Sequence, residues 1–186
     1  MTNSLIRMTV ILAAAACMPE GHAFSVAQCA RERPNVLTEV AARDRHFGAD
    51  AATRTAIARL IASGEKSVTF HLAVLENVLG RAPLPGDQHV VLDGAGSARA
   101  VIETTALRRL SFDTVSENET RYEGPGARAL KDWRAIHRAF WQPSLEARGR
   151  ALRGDSEVIV EYFRLVCSAD TEPRPPRPEP GAGADP

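Results

Sequence analysis

The stretch Ser63-Gly64-Glu65-Lys66-Ser67-Val68-Thr69-Phe70 constrains this chain more than any other. A helical apolar period ends there and a strand pattern begins, so helix and strand meet at a corner with almost no connecting loop. Gly64 stands where a helix C-terminus needs a residue with positive φ. Upstream, Ile57, Leu60 and Ile61 share one helical face, and Asp50, after the turn at Gly48-Ala49, is suited to cap it. Lys66 and Thr69 fall at the mouth of the following strand. A lysine and a hydroxyl in that place are either an ordinary surface corner or the polar groups of a pocket.

The rest of the chain alternates in the same way. Ala27 to Phe47 is helix-like but irregular, broken at Pro34, with Asn35 as a cap for Val36, Leu37, Val40 and Ala41. Ser67 to Leu75 reads as a strand. Gly80 to Asp87 is a breaker-rich loop. Gln88 to Asp93 and Arg99 to Leu107 read as strands joined at Gly94-Ala95-Gly96-Ser97, which makes a hairpin. Leu110 to Val115 leads out through Asp113. Ala129 to Phe140 is the clearest helix, with Leu130, Trp133, Ile136, His137 and Phe140 on one face, and Pro143 is expected to break the run after Trp141. Val158 to Val166 is a last strand, rich in β-branched and aromatic residues. The order predicts an α+β fold with a small, mostly antiparallel barrel or curled sheet flanked by helices. From Thr171 to Pro186 the Pro-, Arg-, Glu- and Gly-rich tail has no apolar pattern and reads as disordered.

The N-terminus reads as a secretory leader covering residues 1–23. Arg7 supplies a positive start, Met8 to Cys17 is an apolar run too short to span a bilayer, and Gly21-His22-Ala23 offers a cleavage site before Phe24. A lipid-anchored version through Cys17 is the alternative, although Ala14-Ala15-Ala16-Cys17 matches such sites poorly. The mature domain would then span residues 24–170, with no transmembrane segment, in the periplasm or outside the cell. It would keep two cysteines, Cys29 and Cys167, and an oxidising compartment invites a disulfide between them; two buried thiols are the plainer reading. The formal net charge is zero, so no global field argues for nucleic acid and no DNA-specific motif is present. No His, Cys, Asp and Glu set has metal-ligand spacing, and no Gly-x-Ser-x-Gly or P-loop pattern occurs, so neither a metal nor a cofactor is expected.

Several of these segments, in order, resemble a known family. Phe47-Gly48-Ala49-Asp50 followed by Gly64-Glu65-Lys66-Ser67-Val68-Thr69 resembles the entry to an ASCH domain, which usually shows Gly-x-Lys-x-x-Thr there. Val91-Leu92-Asp93-Gly94 with Val101-Ile102-Glu103-Thr104-Thr105 looks like its central hairpin. Phe112-Asp113-Thr114-Val115, Glu123-Gly124, and Trp133-Arg134 with His137 look like its helical insertion, and Tyr162 to Val166 is similar to its closing strand. The likeness covers about residues 36 to 167. It implies a PUA-like β-barrel with a cleft at the lysine corner, binding RNA, nucleotides or a modified nucleoside. Some such relatives hydrolyse acylated cytidine or cut RNA, and the amidohydrolases use a lysine, a threonine and a glutamate, matched here to Lys66, Thr69 and Glu103. One departure concerns the loop where the family often has Glu-Gly-Glu-Gly-Asp. Here it reads Glu123-Gly124-Pro125-Gly126-Ala127, without two of the carboxylates.

A threonine hydroxyl is a weak nucleophile until a base takes its proton, and a lysine is a base only when burial lowers its pKa. Glu103 would orient Lys66 or carry the proton onward; the plainer reading is a Lys66–Glu103 salt bridge, with Thr69 chosen for its β-propensity. Ser67, Glu123, Trp133, His137 and Arg138 complete the expected substrate-binding set. His137 on an apolar face is also what a core histidine looks like, and Trp133 what a core tryptophan looks like. Residues 121–153 carry eight Lys or Arg against three Asp or Glu, which is either a solvated face or a phosphate-facing rim, with Tyr122 and Trp133 able to stack a base. The functional expectation is an exported binding domain that is a candidate hydrolase (an amidohydrolase or ribonuclease). The alternative is a non-enzymatic interaction module of the cell envelope.

Overall fold

In a computed structural model, the protein is described over residues 43–75 and 83–168, together with Cys29. The expected leader, the helix-like stretch as far as residue 42 apart from Cys29, and the tail from 171 lie outside the described residues. The first described element is not helical. Arg43–His46 is a strand, β1, which pairs in parallel with a strand 45 residues later, Arg43 opposite His89 and His46 opposite Leu92. Nothing in the local sequence favours a strand there. Backbone pairing along a sheet edge overrides local preference.

Helix α1, Ala51–Ala62, follows, with the Asp50 side chain accepting from the Thr53 amide at 2.9 Å. It ends as the sequence predicts: Gly64 has φ +79° and its amide donates to the Ile61 carbonyl at 3.0 Å. Strand β2, Val68–Leu72, is shorter than expected, because residues 73–75 turn into a helical geometry. Strands β3, Gln88–Leu92, and β4, Ala98–Ser111, form the predicted antiparallel hairpin. Gly94 is required at its turn, since a Cβ there would overlap the Ala51 carbonyl at the start of α1.

After β4 come a 3-10 turn at Phe112–Thr114, the one-turn helix α2, Glu117–Thr120, and a second 3-10 turn at Pro125–Ala127. Helix α3 runs from Leu130 to Glu146 and passes through Pro143 instead of stopping. Proline removes one hydrogen bond, but Trp141 and Leu145 on either side of it are buried, and their packing holds the helix across the gap. Strand β5, Glu157–Ser168, returns antiparallel to both β4 and β2.

The sheet order is β1-β3-β4-β5-β2, a curled, mostly antiparallel half-barrel. One face packs Val68, Phe70, Leu72, Val158 and Val160 against Phe112, Trp133, Trp141 and Leu145. The other packs Val91, Ala100, Ile102 and Phe163 against Ala58, Ile61 and Ala62 of α1, with Phe47. The helices α1 and α3 thus cover opposite faces. Cys29 is bonded to Cys167 on β5, their Cα atoms 6.1 Å apart, and packs with Val101 and Val166. The curl brings the two edge strands together: Arg45 on β1 and His71 on β2 both reach Glu161 on β5, at 2.8 and 2.7 Å.

Candidate functional site

A cavity of about 370 Å³ opens at the start of edge strand β2, where the two helices meet from opposite faces of the sheet. Phe47, Gly48 and Ala49 line it from the end of β1, Thr53, Ile57 and Leu60 from α1, and Ile136, His137 and Phe140 from α3. Lys66, Thr69 and Phe70 come from the corner, and Glu123, Gly124, Gly126 and Ala127 from the loop before α3.

Lys66 reaches the cavity because its amide donates to the Leu60 carbonyl at 3.0 Å, which holds the chain against the end of α1. The next amide, of Ser67, donates to the Tyr122 carbonyl at 3.0 Å, and this ties the corner to the loop that carries Glu123. Lys66 and Glu123 are each 5% exposed, and Lys66 Nζ donates to Glu123 Oε2. The same oxygen accepts from the Gly124 amide at 3.2 Å. Loss of water around Lys66 holds its pKa below the usual lysine value, and the Glu123 carboxylate opposes this without reversing it. The pair is therefore a buried amine hydrogen-bonded to a buried carboxyl group.

His137 sits beside this pair. Its ring stacks on Trp133 at 4.4 Å and meets Phe70 edge-on at 5.4 Å. Nδ1 is 2.9 Å from the Trp133 carbonyl oxygen, which can only accept, so Nδ1 carries the proton. Burial pushes the His137 pKa down to about 4, against the pull of Glu123 and the Trp133 carbonyl. At neutral pH the ring is uncharged and Nε2 is an acceptor.

The sequence-predicted set is divided by the fold. Lys66, Thr69, Glu123 and His137 meet in the cavity. Glu103 does not join them. It accepts from Gln88 at 3.0 Å and from Arg164 at 2.9 Å. The alternation of β4 puts Ile102 on the α1 side and Glu103 on the other, and bulges on either side of Glu103 against β5 set the register opposite Arg164. Trp133 is fully buried in the core, behind His137. Ser67 serves through its backbone. Arg138 lies over the Phe112 ring at 5.2 Å, away from the cavity. Three further arginines of 121–153 are also engaged elsewhere: Arg121 on Tyr122, Arg128 on the carbonyls of Glu65 and Glu123, and Arg134 on the Asp113 carbonyl. Tyr122 stacks edge-on with Tyr162 at 5.9 Å.

Sequence reasoning missed the most deeply buried acid, Glu161. It is fully enclosed and accepts from Arg45 and His71, and from Thr104 at 2.5 Å. Burial raises its pKa, but the His71 hydrogen bond and the Arg45 charge outweigh that and bring it down to about 2. The signal was there: a lone acid inside the apolar run Val158 to Val166. Among the described residues no group of three or more His, Cys, Asp and Glu is placed to hold a metal ion.

A comparison with curated proteins found no match. Among solved structures, an ASCH domain from Lactobacillus crispatus JV V101 is similar, with 27% identity, a TM-score of 0.66, and coverage of 78% of this chain and 96% of that one. A protein from Enterococcus faecalis V583 shares the fold at 21% identity and a TM-score of 0.67, covering 78% of this chain and 88% of that one. The model of the ASCH domain matches residues 44–167, which run from β1 to the disulfide-bonded cysteine of β5. With its lysine corner, curled sheet and flanking helices all inside that match, the chain belongs to the ASCH domain family.

Proposed function

We propose that the Lys66–Glu123 cavity binds a nucleobase-bearing ligand and hydrolyses an acylated nucleoside. The observation that carries this reading is the buried Lys66–Glu123 pair, opening beside Thr69 and the neutral His137 into an otherwise apolar cavity. A planar heterocycle suits such a space: apolar walls take its faces and a few fixed donors and acceptors read its edge. RNA or a nucleotide could present the same base, so the ring is the shared element of the ligand classes the family suggests.

The carboxylate of the reaction centre is Glu123 in this proposal, in place of Glu103. With the Lys66 pKa lowered, its amine can take the Thr69 hydroxyl proton while the oxygen attacks the acyl carbon. The C–N bond then breaks as that proton passes to the leaving amine, with Glu123 holding the lysine in place. Water next hydrolyses the acyl-threonine, releasing a carboxylic acid and restoring the hydroxyl. We also propose that the protein is exported. The Arg7 start, the Met8–Cys17 apolar run and the Cys29–Cys167 bond support that reading.

The test is incubation with N4-acetylcytidine, with release of cytidine followed chromatographically. Wild type should release it, and Lys66→Ala, Thr69→Val and Glu123→Gln should each slow release by on the order of 100-fold or more. Glu103→Gln should not. The second reading, binding without turnover, is favoured by the ion pair itself, which stabilises the charged lysine. Nucleoside binding with no cytidine released in any preparation would establish it and end the hydrolase reading.

A further inference from the structure

Resting on the nucleoside reading above, we propose that the outer half of the same cavity is a slot for an apolar acyl chain. The preferred ligand is then an uncharged nucleoside carrying an N-acyl substituent longer than acetyl. The cavity is graded. At its inner end Lys66 and Glu123 are 5% exposed; at its mouth Ile136 and Phe140 are 48% and 50% exposed. Those two side chains lie one turn apart on α3, and Ile57 and Leu60 of α1 form the facing wall. A half-exposed isoleucine and phenylalanine at the outer edge of the helix's apolar face gain nothing from water, but they gain from an apolar guest between the helices.

The charges point the same way. Among the described residues the lining holds one cation, Lys66, and one anion, Glu123, and they are bonded to each other. A phosphate placed in the cavity would lose its water without gaining an unpaired cation. The nearby arginines are spent on backbone carbonyls: Arg54 on Gly48 and Ala49, Arg128 on Glu65 and Glu123. The ligand that fits has a polar ring edge for the inner end, an aliphatic chain for the mouth and no formal charge.

The experiment is a matched series: N4-acetyl-, N4-butanoyl- and N4-hexanoylcytidine, with the 5′-monophosphate of the butanoyl compound. The readout is kcat/KM for cytidine release, or Kd by titration calorimetry where no release occurs. Each buried CH₂ is worth about fourfold, so butanoyl should exceed acetyl by on the order of tenfold. Phe140→Ser and Ile136→Ser should each bring that ratio toward one, with the fold checked by circular dichroism. The monophosphate should be at least tenfold poorer than its nucleoside. A ratio near one in wild type, with all three nucleosides bound or cleaved, overturns the slot and leaves the nucleoside reading standing. A monophosphate that matches or beats its nucleoside overturns the requirement for an uncharged ligand. If no member of the series binds or reacts, the nucleoside reading falls and the slot falls with it.

Discussion

Glu161 and Glu123 are both carboxylates taken out of water, and the fold surrounds them differently. Glu161 is reached from β1, β2 and β4 by Arg45, His71 and Thr104. Every donor belongs to a strand, and together they hold the two edges of the half-barrel in place. Among the described residues Glu123 has one side-chain donor, Lys66, and the amide of the next residue. Its surroundings are loop and corner, and the pair faces a cavity. A buried acid saturated with donors on rigid strands is structural, because any guest would have to break a bond before making one. A buried acid with one cationic partner beside open space keeps acceptor capacity for a guest. The same residue type thus marks scaffold in one place and candidate site in the other.

The largest effect should come from breaking the first cluster. Glu161→Ala leaves Arg45 and His71 without their anion, and should lower stability in urea unfolding by about 3–5 kcal/mol. Glu123→Gln should cost no more than about 1 kcal/mol, since Lys66 can shed its proton and keep a hydrogen bond. Replacing the pair by Lys66→Met with Glu123→Leu should leave stability unchanged or raise it, while removing ligand binding. Equal losses for Glu161→Ala and Glu123→Gln would erase the distinction.

Acid should separate the two regions next. Glu161 has a folded pKa of about 2, below its unfolded value of about 4.5. The unfolded chain therefore takes up this proton first, and the stability from Glu161 is whole above about pH 4.5 and lost as pH falls toward 2. The shift corresponds to roughly 3 kcal/mol. His137, buried and neutral with a folded pKa of about 4, loses its share earlier, as pH falls from about 6.5 to 4. Unfolding free energy measured from pH 7 to pH 2 should show both losses. His137→Gln should remove the upper one and Glu161→Gln the lower, and a profile unmoved by either variant would contradict the assignments.

Salt should have the smallest effect. With Lys66 and Glu123 paired and no other charge among the described residues of the lining, affinity for an uncharged nucleoside should change less than about twofold between 0.05 and 0.5 M salt. A steep dependence would bring the 121–153 arginines back as a phosphate-facing rim.

How much of this was legible in advance follows from distance along the chain. The Gly64 corner, the hairpin at Gly94 and the apolar face of α3 are local. Each is set by a few neighbouring residues, and each was read correctly. The resemblance to ASCH domains was carried by the same local segments. Ile136 and Phe140 were placed on the right helical face, although nothing in that face showed which end of it would be a cavity wall. Helix α3 was cut short at Pro143 because propensity cannot weigh the burial of Trp141 and Leu145 against one lost hydrogen bond. β1 was missed because its only reason to be extended is the edge of β3.

The sequence by itself determined that a lysine and a threonine stand three residues apart at a helix-to-strand corner, and that acids lie downstream in both a strand and a loop. Only the tertiary structure decided which acid the lysine meets. Glu103 was the natural choice as a charge within an apolar strand, but strand alternation and two bulges turn it toward Arg164. Glu123, 57 residues beyond Lys66, arrives because the Ser67 amide binds the Tyr122 carbonyl and draws that loop over the end of α1. A side chain's type is written in the sequence, but the face it points to depends on register, and register is fixed by the whole sheet at once.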